Sequence, residues 1–276
     1  MARRRARADH PRRRRLTGNT DTTAPHLALV GPTASGKSAL AAAVAVALGD
    51  VEIVSLDSMQ VYRTLDVGTA KPDTATRSAV VHHLLDVADP DEEWSVARTQ
   101  ALARAAVAEI AARGHRALLV GGTGLYVQAV LDDLRLPGED LERRASLEAE
   151  TAEPGGVARA YDRLRAADPV AASRIDPHNA RRIVRALEVI EVTGQPFSSF
   201  GPGVAAFGPT VFPVLVAGVW LPRAVLATRI ADRVEAMRDA DLVGEVRAAA
   251  DGPGLSRTAR QAIGYREVAD ALDAGR

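Results

Sequence analysis

Gly31-Pro32-Thr33-Ala34-Ser35-Gly36-Lys37-Ser38 has the residue types and the G-x-x-x-x-G-K-[ST] spacing of a phosphate-binding loop. Such a loop turns backbone N–H groups inward, and the helix behind it presents the positive end of its dipole. Lys37 is placed to reach a terminal phosphate, and the Ser38 hydroxyl to ligate Mg²⁺. The chemistry implied is the holding of a di- or triphosphate. The same letters also occur in chance Gly-rich turns, and the motif alone names neither the phosphate nor the reaction. Asp57 is the second candidate, because it stands where the apolar run Val51-Glu52-Ile53-Val54-Ser55-Leu56 ends. From its position alone, two roles fit a carboxylate there: a Mg²⁺ ligand in the Walker B manner, or a helix N-cap.

These residues need a frame. The run His26-Leu27-Ala28-Leu29-Val30 precedes the loop, and an Ala-rich helical stretch from Ala39 to Leu48 follows it. Arg116-Ala117-Leu118-Leu119-Val120 is a third apolar run and ends in Gly121-Gly122-Thr123-Gly124. Ser95 to Arg113 has an amphipathic helical pattern, with Gly114 as a C-terminal cap. Alternating strands and helices predict an α/β fold of P-loop NTPase type, a parallel sheet with helices on both faces. Ligands of such sheets lie at the carboxyl ends of the strands. The phosphate loop, Asp57 and Thr123 should therefore converge on one crevice.

After Pro137 the chain becomes charged and Ala-rich, which predicts an inserted helical subdomain over 138–195. Residues 25–137 then form the first part of the core and 196–276 the second. Val211 to Trp220 reads as a return strand, with Pro213 placing it at an edge. Arg223–Arg238 is again helical, and Arg229 and Arg233 stand four apart in it.

Composition narrows the class. At 276 residues and 47% hydrophobic, the chain can bury a core, and no apolar run approaches the ~20 residues that span a bilayer. Cysteine is absent, which excludes a disulfide frame and thiolate metal sites and fits a cytoplasmic protein. Lys37 and Lys71 are the only lysines. The net charge of zero conceals an asymmetry: residues 1–15 hold eight Arg and one Asp, leaving 27 basic against 34 acidic residues, a net of −7, in the rest. Residues 1–24 are expected to be a disordered basic tail. His82-His83 has no Cys or Glu at ligand spacing and does not read as a zinc site.

Past Asp57 the residues become more specific. Asp57-Ser58-Met59-Gln60-Val61-Tyr62-Arg63, followed by Asp66-Val67-Gly68-Thr69-Ala70-Lys71-Pro72, resembles the tRNA dimethylallyltransferase family. Four further stretches carry the resemblance in order: His82–Val87 with Asp89-Pro90; Leu119–Tyr126; Asp168–Ala172 with Asn179–Val189; and Gln261–Arg266. The match runs from about residue 26 to 272.

The resemblance implies transfer of a dimethylallyl group from dimethylallyl diphosphate to the exocyclic amine of a tRNA adenosine beside the anticodon. The phosphate loop, Gly31 through Ser38, would then hold a diphosphate leaving group instead of ATP, with Mg²⁺ at Ser38 and Arg229 approaching from its helix. The family places Asp57 as general base and Thr123 near the reacting base. Met59, Gln60 and Tyr62 would line the pocket of the extruded adenine, and Ser58 beside them would contact the tRNA. Arg181, Arg182 and Arg185 would bind tRNA, the first and last on one helix face; Gly264, Tyr265 and Arg266 fall in the last matching stretch and join that list. A monomer is expected.

The family usually continues past the position of Arg276 through another helix and a basic, aromatic segment, so the chain reads as truncated there. Two other activities share part of the pattern. A P-loop small-molecule kinase leaves the Asp57–Pro72 block without a role. An isopentenyl transferase of free adenine nucleotides would not need the Arg181–Arg185 helix.

Overall fold

The computed structural model describes residues 24–132, 134–201, 208–252 and 254–274. The Arg-rich run 1–15 and residues 275–276 lie outside them. In chain order β1 (His26–Val30), α1 (Lys37–Leu48), β2 (Val51–Ser55), α2 (Thr74–Ala79), β3 (His82–His83), α3 (Val96–Ala112), β4 (Arg116–Gly121) and α4 (Gly124–Leu131) form the first part. Four helices follow: α5 (Leu141–Ala152), α6 (Gly156–Ala167), α7 (Pro169–Ala172) and α8 (Ala180–Thr193). Then come β5 (Val214–Gly218), α9 (Arg223–Asp239), α10 (Leu242–Asp251) and α11 (Tyr265–Asp273).

The strands make one sheet in the order β3-β2-β4-β1-β5, with every neighbouring pair parallel. The pleat sorts the side chains. Ile53, Leu118 and Val120 pack with Ala41 and Ala45 of α1 on one face. Val54, Ala117 and Leu119 pack with Ala103, Val107 and Ile110 of α3 on the other. Both faces are covered, so β2 is buried at every position. The alanines of α1 let it lie close to the strands. Ser95 caps α3 by accepting from the Arg98 N–H at 3.2 Å, and Gly114 takes a left-handed φ of 77° just past its end.

β5 is the return strand expected after the insert, shorter than the 211–220 run. It lies at the sheet edge. Pro213 stands just before it and accepts from the His26 N–H at 3.0 Å, so its missing donor costs the ladder nothing. Helices α5, α6, α7 and α8 enclose a core of their own built on Leu147, Leu164, Ile183 and Leu187. Phe197, just past the expected end of the insert, packs against it too. Helices α10 and α11 close over the segment that follows β2, where Val61, Tyr62 and Leu65 meet Val246 and Tyr265.

Candidate active site

The phosphate loop joins β1 to α1 at the carboxyl edge of the sheet. Gly36 caps α1 in the left-handed region at φ 87°, as an L side chain rarely does. Lys37 Nζ reaches back to the Pro32 carbonyl at 3.4 Å. The loop after β4 presses on it: a Cβ on Gly122 would stand 2.8 Å from the Gly31 oxygen and 3.4 Å from Lys37 Nζ. Glycine there is a condition for the two loops to meet. Arg229 of α9 crosses from the other side and donates to the Ser35 carbonyl at 3.3 Å.

Asp57 extends from the end of β2. Its Oδ1 accepts from the Met59 N–H at 2.9 Å and the Gln60 N–H at 3.4 Å. The turn thus fixes the carboxylate through one oxygen. Gln60 is buried; its Oε1 accepts from Ser55 Oγ at 3.0 Å, and its amide donates to the carbonyls of Thr69 and Ala70, both at 3.2 Å. Lys71 is buried as well, and its Nζ donates to the Tyr62 carbonyl at 2.5 Å and to Asp66 and Asp86 at 2.6 Å each. The two lysines therefore divide their work. Lys37 faces the crevice, and Lys71 ties down the loop that shapes it.

Two adjoining cavities, of about 460 and 250 Å³, share Lys37, Ser38, Asp57, Gln60 and Ala70. The larger continues between Ala41, Ala42, Ile53 and Val120, which form an apolar wall. The smaller opens past Thr33, Met59 and Arg233 toward Ala262 and Ile263. Burial lowers the pKa of the Lys37 ammonium, the Asp57 carboxylate opposes this, and Arg233 adds to it. Burial lowers that of Arg233 too, with Asp57 opposing. Two cations and one carboxylate thus surround a space shaped for an anion. Ser38 and Asp57 both line the larger cavity, a hard but incomplete pair of oxygen donors that fits a Mg²⁺ taking its other ligands from diphosphate and water.

Several expected site residues take other roles in the fold. Tyr265 is fully buried in the core beneath α10 and α11, so its ring offers no surface to RNA. Gly264, at φ 92°, caps α11. Arg266 is exposed and pairs with Glu267 at 3.1 Å. Arg185 donates to the carbonyls of Pro137 and Gly138 at 2.9 and 3.2 Å and pairs with the buried Glu188 at 2.9 Å. It anchors the insert, whereas Arg181 and Arg182 on the same helix are exposed. Gln60 lines the cavities but spends its amide on the loop carbonyls. Ser58 and Met59 are half-buried, and Thr123 is exposed at the start of α4, where its hydroxyl caps nothing. Tyr62 is buried in the α10–α11 core and is not among the residues lining these two cavities.

Sequence reasoning passed over two residues. Arg233 was legible as the partner of Arg229 one turn on, but only the packing of α9 aims it into the cavity. Tyr126 has a phenol pushed up to about 12, first by burial, with Asp57 raising it and Arg181 lowering it. The histidine pair is dispersed: His82 Nδ1 lies 2.8 Å from the Val80 carbonyl and His83 Nε2 lies 2.7 Å from Glu52.

Residues 60–276 match the family model of the IPP transferases, and residues 26–86 match that of isopentenyl transferase. The tRNA dimethylallyltransferase of Salinispora arenicola is 54% identical over 243 residues, 88% of this chain and 69% of that one. That of Kineococcus radiotolerans is 52% identical over 255 residues, 90% of this chain and 79% of the other. The crystal structure of full-length tRNA isopentenylpyrophosphate transferase from Bacillus halodurans superposes with a TM-score of 0.59 at 40% identity, covering 91% of this chain and 78% of that one. A eukaryotic dimethylallyltransferase acting on tRNA superposes with a TM-score of 0.72 at 25% identity, covering 90% and 63% of the two chains. With the family model spanning most of its length and a relative above half identity over most of it, the chain belongs to the IPP transferase family.

Proposed function

We propose that this chain transfers a dimethylallyl group from dimethylallyl diphosphate to the exocyclic amine of an adenosine beside the tRNA anticodon, releasing diphosphate. One observation carries the reading: Lys37 of the phosphate loop and Asp57 of the base-bearing turn line the same two cavities in a chain of this family. The diphosphate lies against the loop N–H groups, Lys37 and Arg229. The apolar wall of Ala41, Ala42, Ile53 and Val120 accommodates the five-carbon chain. Ser38 would hold a Mg²⁺, which would supply positive charge for the departing diphosphate.

The allylic C–O bond breaks and its electron pair leaves with diphosphate. Lys37 and the loop N–H groups stabilise that charge as it develops. The adenine nitrogen forms the new bond to the same carbon and loses one proton. Asp57 accepts it, with Oδ1 fixed by Met59 and Gln60 so that the other oxygen faces the amine. The base leaves its stack to reach this point, at a cost of a few kcal/mol. Arg181 and Arg182, exposed on the helical insert, contact the tRNA backbone. Among the described residues no helix is long and apolar enough to cross a membrane. A tRNA acceptor is compatible with a reaction in the cytoplasm. The protein acts as a monomer.

Labelled dimethylallyl diphosphate offered with tRNA and, separately, with AMP tests the assignment. Label in tRNA alone is the expected result. Label in AMP alone assigns the chain to free nucleotides, and consumption of ATP with phosphorylation of a small acceptor would replace the prenyl reading by a kinase.

A further inference from the structure

Glu245, in the first turn of α10, makes bonds that neither the phosphate loop nor the base turn accounts for. Its Oε2 accepts from the N–H groups of Asp66 and Val67 at 2.6 and 2.8 Å, and its Oε1 from that of Gly68 at 3.2 Å. The hydroxyl of Tyr265 also donates to Oε1. One carboxylate thus collects three consecutive backbone donors from a segment nearly 180 residues earlier in the chain. Packing does not call for it. An acid in a helix first turn is favoured by the dipole alone, without reaching another segment.

The segment it grips is a wall of the cavities. Gly68, Thr69 and Ala70 line the smaller one, and Ala70 the larger too. The wall is held from outside through its N–H groups and from inside through its carbonyls. Inside, Arg233 donates to the Gly68 oxygen at 3.3 Å, and Gln60 to those of Thr69 and Ala70. Both inner partners border the reacting centre, since Gln60 donates its backbone N–H to Asp57 and Arg233 shares the smaller cavity with Asp57 and Lys37. Tyr265 braces the outer side. A Cβ on Gly68 would stand 2.3 Å from its ring, so the wall lies flat against it. Burial raises the phenol's pKa, and Glu245 raises it further, so the hydroxyl remains a donor.

Resting on the transferase assignment, we infer that Glu245, braced by Tyr265, is a positioning residue for the transfer: it fixes backbone 66–68 so that the Gly68–Ala70 wall holds Gln60 and Arg233 in register with Asp57. Neither residue touches substrate.

Glu245→Gln and Tyr265→Phe test it. In Glu245→Gln the amide replaces an acceptor oxygen by a donor facing backbone N–H groups, while size is kept. The expected result is a kcat lowered by ~10- to 10²-fold, the scale of a small misplacement of reacting groups, with KM for donor and for tRNA changed by no more than about two-fold. Hydrogen exchange should show lost protection at the amides of 66–68 and unchanged protection in β2 and β4. Tyr265→Phe keeps the charge and the ring packing; it should show a smaller loss of the same kind, and it decides the question even if Glu245→Gln does not fold. Unchanged kcat and unchanged exchange at 66–68 overturn the inference. So does a loss of protection spread equally through the sheet, which is plain destabilisation. The exchange measurement needs no turnover, so a wild-type chain that fails to prenylate tRNA refutes the transferase assignment separately.

Discussion

Lys37 and Asp57 carry opposite charges toward one space, and each answers a different demand of the reaction. Lys37→Ala removes the main cation beside the leaving group. Turnover should be abolished and donor affinity weakened; near-normal turnover with unchanged affinity would remove the phosphate loop from the chemistry. Asp57→Asn keeps the size and the Oδ1 acceptor for Met59 and Gln60, so the fold and donor binding should persist. An amide cannot accept the amine proton, so kcat should fall on the order of 10²-fold or more. A single-turnover rate close to wild type would return Asp57 to the role of turn cap, which its bonds to two backbone N–H groups already show it performing. Lys71 shows how residue type alone misleads. It is as rare as Lys37 in this chain, yet it is buried among two carboxylates and a carbonyl, where it holds the loop.

At the scale of the element, helix α8 separates two arginines that spacing had paired. Arg181 and Arg185 share a face, as their four-residue interval requires. That face turns from solvent to core along its length. Arg185 meets Glu188 and the carbonyls of Pro137 and Gly138, while Arg181 stays exposed. The tRNA prediction therefore moves to Arg181→Ala with Arg182→Ala. Filter binding at several salt concentrations should show weaker binding across tRNA sequences, with a log K against log salt slope flatter by about 1.4, roughly 0.7 for each lost single-strand phosphate contact. Donor binding should not change. An unaltered slope would make these arginines a solvated face. Arg185→Ala, by contrast, should lower thermal stability, because it strips one partner from a buried carboxylate.

Across the whole molecule, the end of the sheet away from the site carries an ionic cluster that should contribute to acid stability. Glu52 of β2 is buried beside Arg113, His83 and His115. Burial by itself raises its pKa, but the hydrogen bonds from Arg113, His83 and His115 prevail and bring it down from 4.5 to about 2. A folded pKa below the unfolded one means stability that is complete above about pH 4.5 and lost as pH falls toward about 2. The span corresponds to on the order of 3 kcal/mol. Melting temperature against pH should therefore drop through that window in the wild type and be flatter in Glu52→Gln. Identical acid limbs would assign acid unfolding to other carboxylates.

The sequence by itself determined the strand–loop–helix of the phosphate site, the alternating α/β order, the helical insert and the placing of Asp57 at a strand end. All of these rest on local signals: motif spacing, apolar runs a few residues long, and caps such as Ser95 and Gly114. It also held the residues that resemble the family. What it did not determine was which side chains have their hydrogen bonds already spent. Gln60, Lys71, Arg185 and Tyr265 look like contact residues by type and by motif. Each is committed to partners that the chain supplies only after folding. Glu245 is an unremarkable letter on its helix, and Arg233 no more than the four-residue partner of Arg229, until α9 and α10 pack against the loop after β2. Hydrogen-bond partners 165 and 179 residues apart leave no local periodicity to read, so only the tertiary structure could decide them.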